Sequence, residues 1–304
     1  MRKYLKLLKG IIHSIYCYPT KNNHQNGIYE ICLSRGGQLH KKIGIHQAEN
    51  VKCLTVKGII NITDLFFMQH MDNLEMLDLK QAVYLRKKQN EASRNRLRKN
   101  LLGEGRKLRK IWLPNSMGSI PAELFKNCHA LEEVVIPHSV KLIGSAAFRN
   151  SGIKRISIPS SVKLIGHGAF DHCENLESVK IEDSRSYLKW KGEQFKHCHK
   201  LKDIYLGRNS VYEYALNTEA KVERMILSNH IGHINFDVPN IEILECRMKK
   251  PPHIFRQHIS PLCKVIVTNN FELFWIDPQW NKMNLIQQEE TTVYMECRKN
   301  KTAG

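Results

Sequence analysis

Three places in this chain join cysteine to histidine: Cys128-His129, His172-Cys173 and His197-Cys198-His199. Such pairs are zinc-ligand chemistry, and a structural zinc needs four donors converging at about 2.0–2.3 Å in tetrahedral geometry. The cysteines instead keep phase with an internal repeat. Residues in phase on successive coils stack roughly one strand spacing apart, about 4.8 Å per step, and do not converge. A small, weakly polar thiol suits a tight inward-facing corner. The expectation is therefore a structural ladder of Cys128, Cys173 and Cys198 and no metal site, with the neighbouring histidines at the surface. Nine cysteines are an odd number, so at least one stays unpaired within the chain, and their scatter argues for buried free thiols and not a disulfide framework.

Other reactive constellations are missing from the sequence. There is no P-loop, G-x-G-x-x-G, G-x-S-x-G or H-E-x-x-H. Asp64, Asp78 and Asp171 have no partner at a spacing that suggests acid–base work. Asp183-Ser184 lies near His172, but nothing in the sequence orients the three as a triad. The expectation is a non-enzyme without catalytic residues or cofactor.

Charge is the next chemical signal. Lys and Arg number 47 against 29 Asp and Glu, a formal excess of +18. A field of that sign favours polyanions. Between Arg86 and Lys110 the chain has eleven basic and two acidic residues, a local +9, which is half of the total. Arg86, Lys87, Lys88, Arg94, Arg96, Arg98, Lys99, Arg106 and Lys107 form the candidate contact for nucleic acid, sulfated glycan or anionic lipid. A solvated insertion is the plainer reading. Only Tyr84 and Trp112 flank the run, so stacking on bases has little to work with.

These residues are positioned by a repeat. The pattern apolar-x-x-apolar-x-apolar-x occurs at Val51–Lys57, Leu74–Lys80, Leu108–Pro114, Leu131–Pro137, Ile153–Pro159, Leu176–Glu182 and Leu201–Gly207. Weaker copies are Val222–Ser228, Ile241–Arg247 and Leu262–Thr268. Their starts are 23, 34, 23, 22, 23, 25, 21, 19 and 21 residues apart, within the range of leucine-rich repeats. Phe125, Phe170 and Phe195 sit six residues before their pattern, with Phe148 one residue closer. Cys128, Cys173 and Cys198 sit three residues before it. Met68 and Met71 hold the same two places in the unit before the basic insertion.

Side chains alternate across a strand, so positions four and six of each copy, such as Ile156 and Ile158, face a shared core. No unit can bury its apolar face alone, but stacked units build columns of Leu, Ile and Phe. Pro114, Pro137 and Pro159 fall where the strand ends and a missing N–H does least damage. Position five points outward onto the concave face that repeat proteins use for binding: Thr55, Asp78, Trp112, Val135, Ser157, Lys180, Tyr205, Ile226, Glu245 and Ile266. Trp112, Val135, Tyr205 and Ile226, together with Lys180, are the candidate contacts, because Trp and Tyr are frequent interface anchors. Scattered exposed apolar residues need no such explanation.

Segments such as Ile153–Cys173 (IKRISIPSSVKLIGHGAFDHC) resemble the BspA-like leucine-rich repeats of bacterial surface proteins. Val51–Leu79 is similar to the opening repeat of such proteins, and Cys246–Phe255 and Phe271–Ile286 to the closing segment, with Phe274, Trp280 and Ile286 at its anchor positions. The resemblance covers roughly residues 28 to 288. It implies a protein-interaction or adhesion module with no family-wide catalytic residues.

The expected fold is an α/β repeat: a leucine-rich-repeat solenoid of about ten short parallel strands, with short helical or 3-10 turns on the convex side around Ala146-Ala147-Phe148 and its equivalents. The expected divisions are a leader or tail (1–27), an N-terminal cap and first repeats (28–80), the basic insertion (81–107), the solenoid (108–268), an aromatic cap built on Phe271, Phe274, Trp275 and Trp280 (269–288) and a tail (289–304). Met1–Tyr18 has the outline of a signal peptide, Arg2 and Lys3 followed by an apolar stretch through Ile15. Lys6, Lys9 and His13 interrupt that stretch, and no A-x-A-like site follows. No run of 18 apolar residues exists to span a bilayer. The expected location is secreted or at the cell surface, or the cytoplasm if the leader does not function. The expected partner is a protein or glycan, with a polyanion as the alternative, bound by a monomer.

Overall fold

The computed structural model describes residues 26–85, 107–192, 194–209, 220–234, 240–254 and 259–288. Of the basic run, Lys107, Arg109 and Lys110 are described. Arg86, Lys87, Lys88, Arg94, Arg96, Arg98, Lys99 and Arg106 lie outside the described residues, as do the leader through Gln25 and the tail from Glu289.

Among the described residues, thirteen strands form one sheet, and every neighbouring pair is parallel. Each of the ten apolar patterns supplies one strand, for example Lys110–Trp112, Glu133–Val135, Arg155–Ile158, Ser178–Ile181 and Asp203–Leu206. Alternation sets which residues are buried: Ile156 and Ile158 are 3% and 0% exposed, while Ser157 between them is open. Two further main-sheet strands extend the ends, Ile28–Leu33 before the first pattern and Asn284–Gln287 after the last, and the thirteenth, Ala82–Tyr84, pairs with the far end of Cys53–Ile60. The first alternates cleanly, with Tyr29, Ile31 and Leu33 inward. A second, four-stranded sheet of two-residue strands (Ser119–Ile120, Leu142–Ile143, Leu164–Ile165, Lys189–Trp190) lines the opposite side. The whole is a parallel-strand solenoid with little helix.

The convex turns meet the expectation in one unit, where a 3-10 helix spans Met68–His70, and differ from it in the four coils from Phe125 to Phe195. The segment Ser145–Asn150 is a run of turns with no helical or 3-10 piece. The reason is two left-handed residues in every coil there. One column of corners is Glu123, Ala146, Gly168 and Gly192, with φ of 58°, 52°, 56° and 53°. The next is Asn127, Asn150, His172 and His197, with φ of 59°, 56°, 56° and 59°. A residue in that region ends any right-handed helix, and Gly, Asn and His tolerate it better than most. The turns are held across coils instead of within them: Phe125 N donates to Ala147 O at 2.8 Å, Phe148 N to Ala169 O at 2.8 Å, and Asn150 N to Asp171 O at 2.9 Å. Short helices occur in the first units, at Leu39–Lys42, Ile45–Ala48 and Ile62–Phe67.

Between the sheet and the corners lies a continuous core. Phe125, Phe148, Phe170 and Phe195 stack with ring centroids 5.3, 5.2 and 5.6 Å apart, and all four are fully buried. Coils approach closely at Gly144 and Gly166, where an added Cβ would meet backbone nitrogen of the previous coil at 2.3 Å in each case. Cys173 Sγ donates to Phe148 O at 3.1 Å and Cys198 Sγ to Phe170 O at 3.2 Å. Contact with Cys173 and burial push the Cys198 thiol up, so it stays protonated. Cys32 departs from the free-thiol expectation, being disulfide-bonded, and Cys53 is only half-buried.

Both ends of the core are closed by satisfied polar groups. At the start, buried Asp64 accepts from the backbone N–H of Gly37, Leu39 and Asn61 at 2.6, 3.0 and 2.9 Å. At the finish, the helix Phe271–Ile276 buries Phe274 against Trp280, rings 5.2 Å apart, and Trp280 Nε1 donates to Pro252 O at 2.9 Å. Phe271 is partly buried and packs against the same core, whereas Trp275 is 60% exposed.

Candidate binding face

The fifth position of each strand forms one row across the sheet. Register places Thr55 beside Asp78, Asp78 beside Trp112, and Trp112 beside Val135. On the far side of Ser157 the row continues through Lys180, Tyr205, Ile226, Glu245 and Ile266. Two aromatic positions in this row carry cations. Trp112 has Lys80 and Lys110 over its ring, with their Nζ atoms 4.7 and 4.6 Å from its centroid. Tyr205 has Lys180 and Arg247 near its face at 5.9 and 6.0 Å. Such contacts hold an aromatic side chain upright on a wet surface and contribute about 0.5–1 kcal/mol each.

Between the two aromatics the face dips. A groove of about 1090 Å³ runs over Val135, Ser157 and Lys180, bounded by Lys80, His138 and Glu182. Ser157 supplies no bulk at its centre, and Val135, 38% exposed, lies in its floor. A second hollow of about 490 Å³ adjoins Lys180, Tyr205, Ile226 and Arg224.

Charges on the face are largely compensated. Lys110 pairs with Glu133 at 2.7 Å, and Glu132 receives Arg109 and Lys154, each at 3.1 Å. Lys154, then Arg109, hold the Glu132 carboxyl below its ordinary range. Lys107 Nζ donates to Asn73 Oδ1 at 2.8 Å. The described members of the basic run thus touch the solenoid's own polar groups. Tyr205 Oη donates to Asp183 at 2.8 Å, and burial with that bond pushes its hydroxyl up to about 12. Burial raises the Asp183 carboxyl, but hydrogen bonds from Tyr205, Ser228 and His230 outweigh it, and the net shift is downward. Glu245 departs from the picture of a wet outward row. It is 4% exposed, packed between Arg224 and Arg247, which both pair with it.

Sequence reasoning missed the lysines that clasp Trp112, because Lys80 belongs to the preceding unit and reaches the ring only through strand register. It also missed a second cluster, away from the sheet. Asp171 meets His172 and His197 in the corner column, with both Nδ1 atoms at 2.8 and 3.1 Å from Asp171 Oδ1. The signal was present in the phase of the two histidines, each directly before a phased cysteine.

Stacked parallel strands, repeat-phased apolar columns and an open sheet face define a leucine-rich-repeat solenoid. Residues 96–223 match the BspA type leucine rich repeat region in six copies, and the middle of the chain is a region of that type. No curated protein matches the chain. Among solved structures it is similar to a leucine-rich repeat protein from Bacteroides ovatus, at 20% identity and a TM-score of 0.35, covering 73% of this chain and 56% of that one. The chain therefore spans little more than half of that protein's length. It is also similar to a leucine rich cell surface protein from Faecalibacterium prausnitzii, at 13% identity and a TM-score of 0.34, covering 88% of each. A third is the pneumococcal vaccine antigen PcpA, at 12% identity and a TM-score of 0.34, covering 79% of this chain and 80% of that one.

Proposed function

We propose that this chain is a non-catalytic binding module that engages a protein or glycan partner on its concave sheet face, and that it acts in adhesion at a bacterial surface. The observation that carries this reading is the groove over Val135, Ser157 and Lys180, which lies on the strands between those of Trp112 and Tyr205, with Tyr205 lining the adjoining hollow. Upright aromatics beside a recess are the usual form of an interface anchor. Ile226 extends the apolar strip past Tyr205. Cation-clasped aromatic rings also suit the apolar face of a sugar, with lysine and carboxylate at hand for hydroxyls. No described helix is long and apolar enough to cross a membrane.

The test is an immobilised full chain probed with a glycan array and with purified extracellular proteins. Trp112→Ala and Tyr205→Ala should each weaken the strongest signal about thirtyfold, the size of a 2 kcal/mol anchor. The signal should change little between low and high salt. Binding that survives both substitutions overturns the concave-face reading.

The +18 excess and the +9 concentrated in residues 86–110 support a second reading, electrostatic binding of a polyanion. Heparin binding would then fall steeply with salt and be lost when Arg94, Arg96, Arg98 and Lys99 are neutralised, with Trp112→Ala having no effect.

A further inference from the structure

We propose that Asp171, His172 and His197 form a binding site for a divalent transition-metal ion of zinc type, on the corner edge of the solenoid. The solenoid itself creates the site. The second left-handed corner of each coil stacks on the same corner of the next, as Asn150 Nδ2 shows by donating to Asn127 Oδ1 at 3.0 Å. In the next two coils the same positions hold His172 and His197, whose rings lie 4.0 Å apart. Asp171 stands one residue before the first of them and is 8% exposed.

One donor atom from each of the three residues lies within 4.8 Å of the other two. Imidazole and carboxylate donors at about 2.0–2.2 Å from a tetrahedral zinc stand about 3.3 Å from one another. The two nitrogen–oxygen separations, 2.8 and 3.1 Å, are a few tenths of an ångström short of that. Small rotations about the side-chain bonds would open the space. His172 Nδ1 is buried, yet its direction toward Asp171 makes no hydrogen bond, so it has no satisfied partner. A cation between it and Oδ1 would satisfy the nitrogen and take the place of the hydrogen bond between His197 Nδ1 and Oδ1 at 3.1 Å.

Arg149 lies on the other carboxylate oxygen, Nε to Oδ2 at 3.2 Å. It opposes a cation by charge, but it also fixes the carboxylate so that Oδ1 faces the rings. Outer partners of that kind orient ligands. The histidine side chains remain 37% and 31% exposed, which gives an ion a path in and leaves a fourth position open to water or to a donor from a partner. Cys173 and Cys198 are not ligands, since each donates to a carbonyl of the preceding coil. The proposal departs from the sequence expectation of no metal.

The experiment uses the tag-free, chelator-stripped full chain titrated with zinc and, separately, cobalt(II). The expected result is one zinc equivalent at micromolar affinity and a cobalt spectrum without a sulfur-to-cobalt charge-transfer band. His172→Asn and His197→Asn suit the left-handed corner, because asparagine occupies it at Asn127 and Asn150. Each should weaken zinc about tenfold or more, and His129→Asn should change nothing. If either variant fails to fold, judged by its thermal transition in chelator, Asp171→Asn takes its place with the same expectation. Absence of binding by the parent, equal binding by the corner variants, or a thiolate cobalt spectrum overturns the proposal.

Discussion

Four consecutive coils place Phe125, Phe148, Phe170 and Phe195 in one column on the inside of the corner. The same four coils place Val135, Ser157, Lys180 and Tyr205 in the outward row of the sheet. One column repeats a residue type and the other changes at every step. A buried ring must match the ring above and below it, so any coil that departs leaves a void shared with two neighbours. An outward side chain faces solvent or a partner and answers to neither neighbour. Repetition in this molecule therefore marks what holds the coils together, and variation marks what is free to contact something else.

That contrast has a direct test within one coil. Phe170→Ala should cost about 3–5 kcal/mol, the range for truncating a buried aromatic ring. Lys180→Ala, ten residues on in the same coil, should stay within about 0.5 kcal/mol. Urea unfolding followed by circular dichroism measures both. Equal losses would mean that the sheet face is as structural as the core, and the division of labour would fail.

Glu245 sits on the boundary between the two kinds of position: outward by register, buried by its arginines. Burial raises its carboxyl, but Arg224 and Arg247 together outweigh that, so its value lies below the ordinary 4.5. A depressed carboxyl stabilises the fold above its unfolded value and loses that contribution as pH falls through the folded value. Glu245→Gln should cost about 1–2 kcal/mol at neutral pH, since two charge-assisted hydrogen bonds to half-exposed arginines are weakened. The gap between parent and variant should close as pH drops below about 4.5. A gap that stays constant with pH would show that the arginines do not sense the charge.

The same contrast explains what the sequence discloses. Apolar period and the phase of Phe125, Phe170 and Phe195 are readable because identical neighbours are a physical requirement of stacking. The end strand Asn284–Gln287 escapes because only Leu285 of its four residues turns even half inward. The convex turns read as helical because Ala146-Ala147 are helix formers, while the left-handed corners that decide the matter are spelled by residues as different as Glu123, Ala146 and Gly168. On the sheet, Trp112, Lys180 and Tyr205 are identifiable as outward residues. The clasp of Lys80 on Trp112 is not, since it depends on a register fixed only when the coils pack. Asp171 fails for a similar reason: its partner His197 is 26 residues away and one coil over.

The smallest expected effect concerns Tyr205, on the variable row. Its hydroxyl is raised to about 12 by burial and by the bond it donates to Asp183. A group raised in the folded state contributes stability that is complete below its unfolded value of 10.0 and is lost as pH rises through the folded one. Tyr205→Phe removes that bond and should cost at most about 1 kcal/mol at neutral pH, because the pair is only partly buried. The chain has ten tyrosines, so an ultraviolet titration of the folded protein should show about one tenth of the tyrosinate signal appearing near pH 12, and the variant should lack that step. If the step persists in Tyr205→Phe, the ring is not held against Asp183, and that side of the second hollow is free to move. Trp112, with the ammonium groups of Lys80 and Lys110 over its ring, would then be the fixed aromatic of the two, and a partner would have to anchor there.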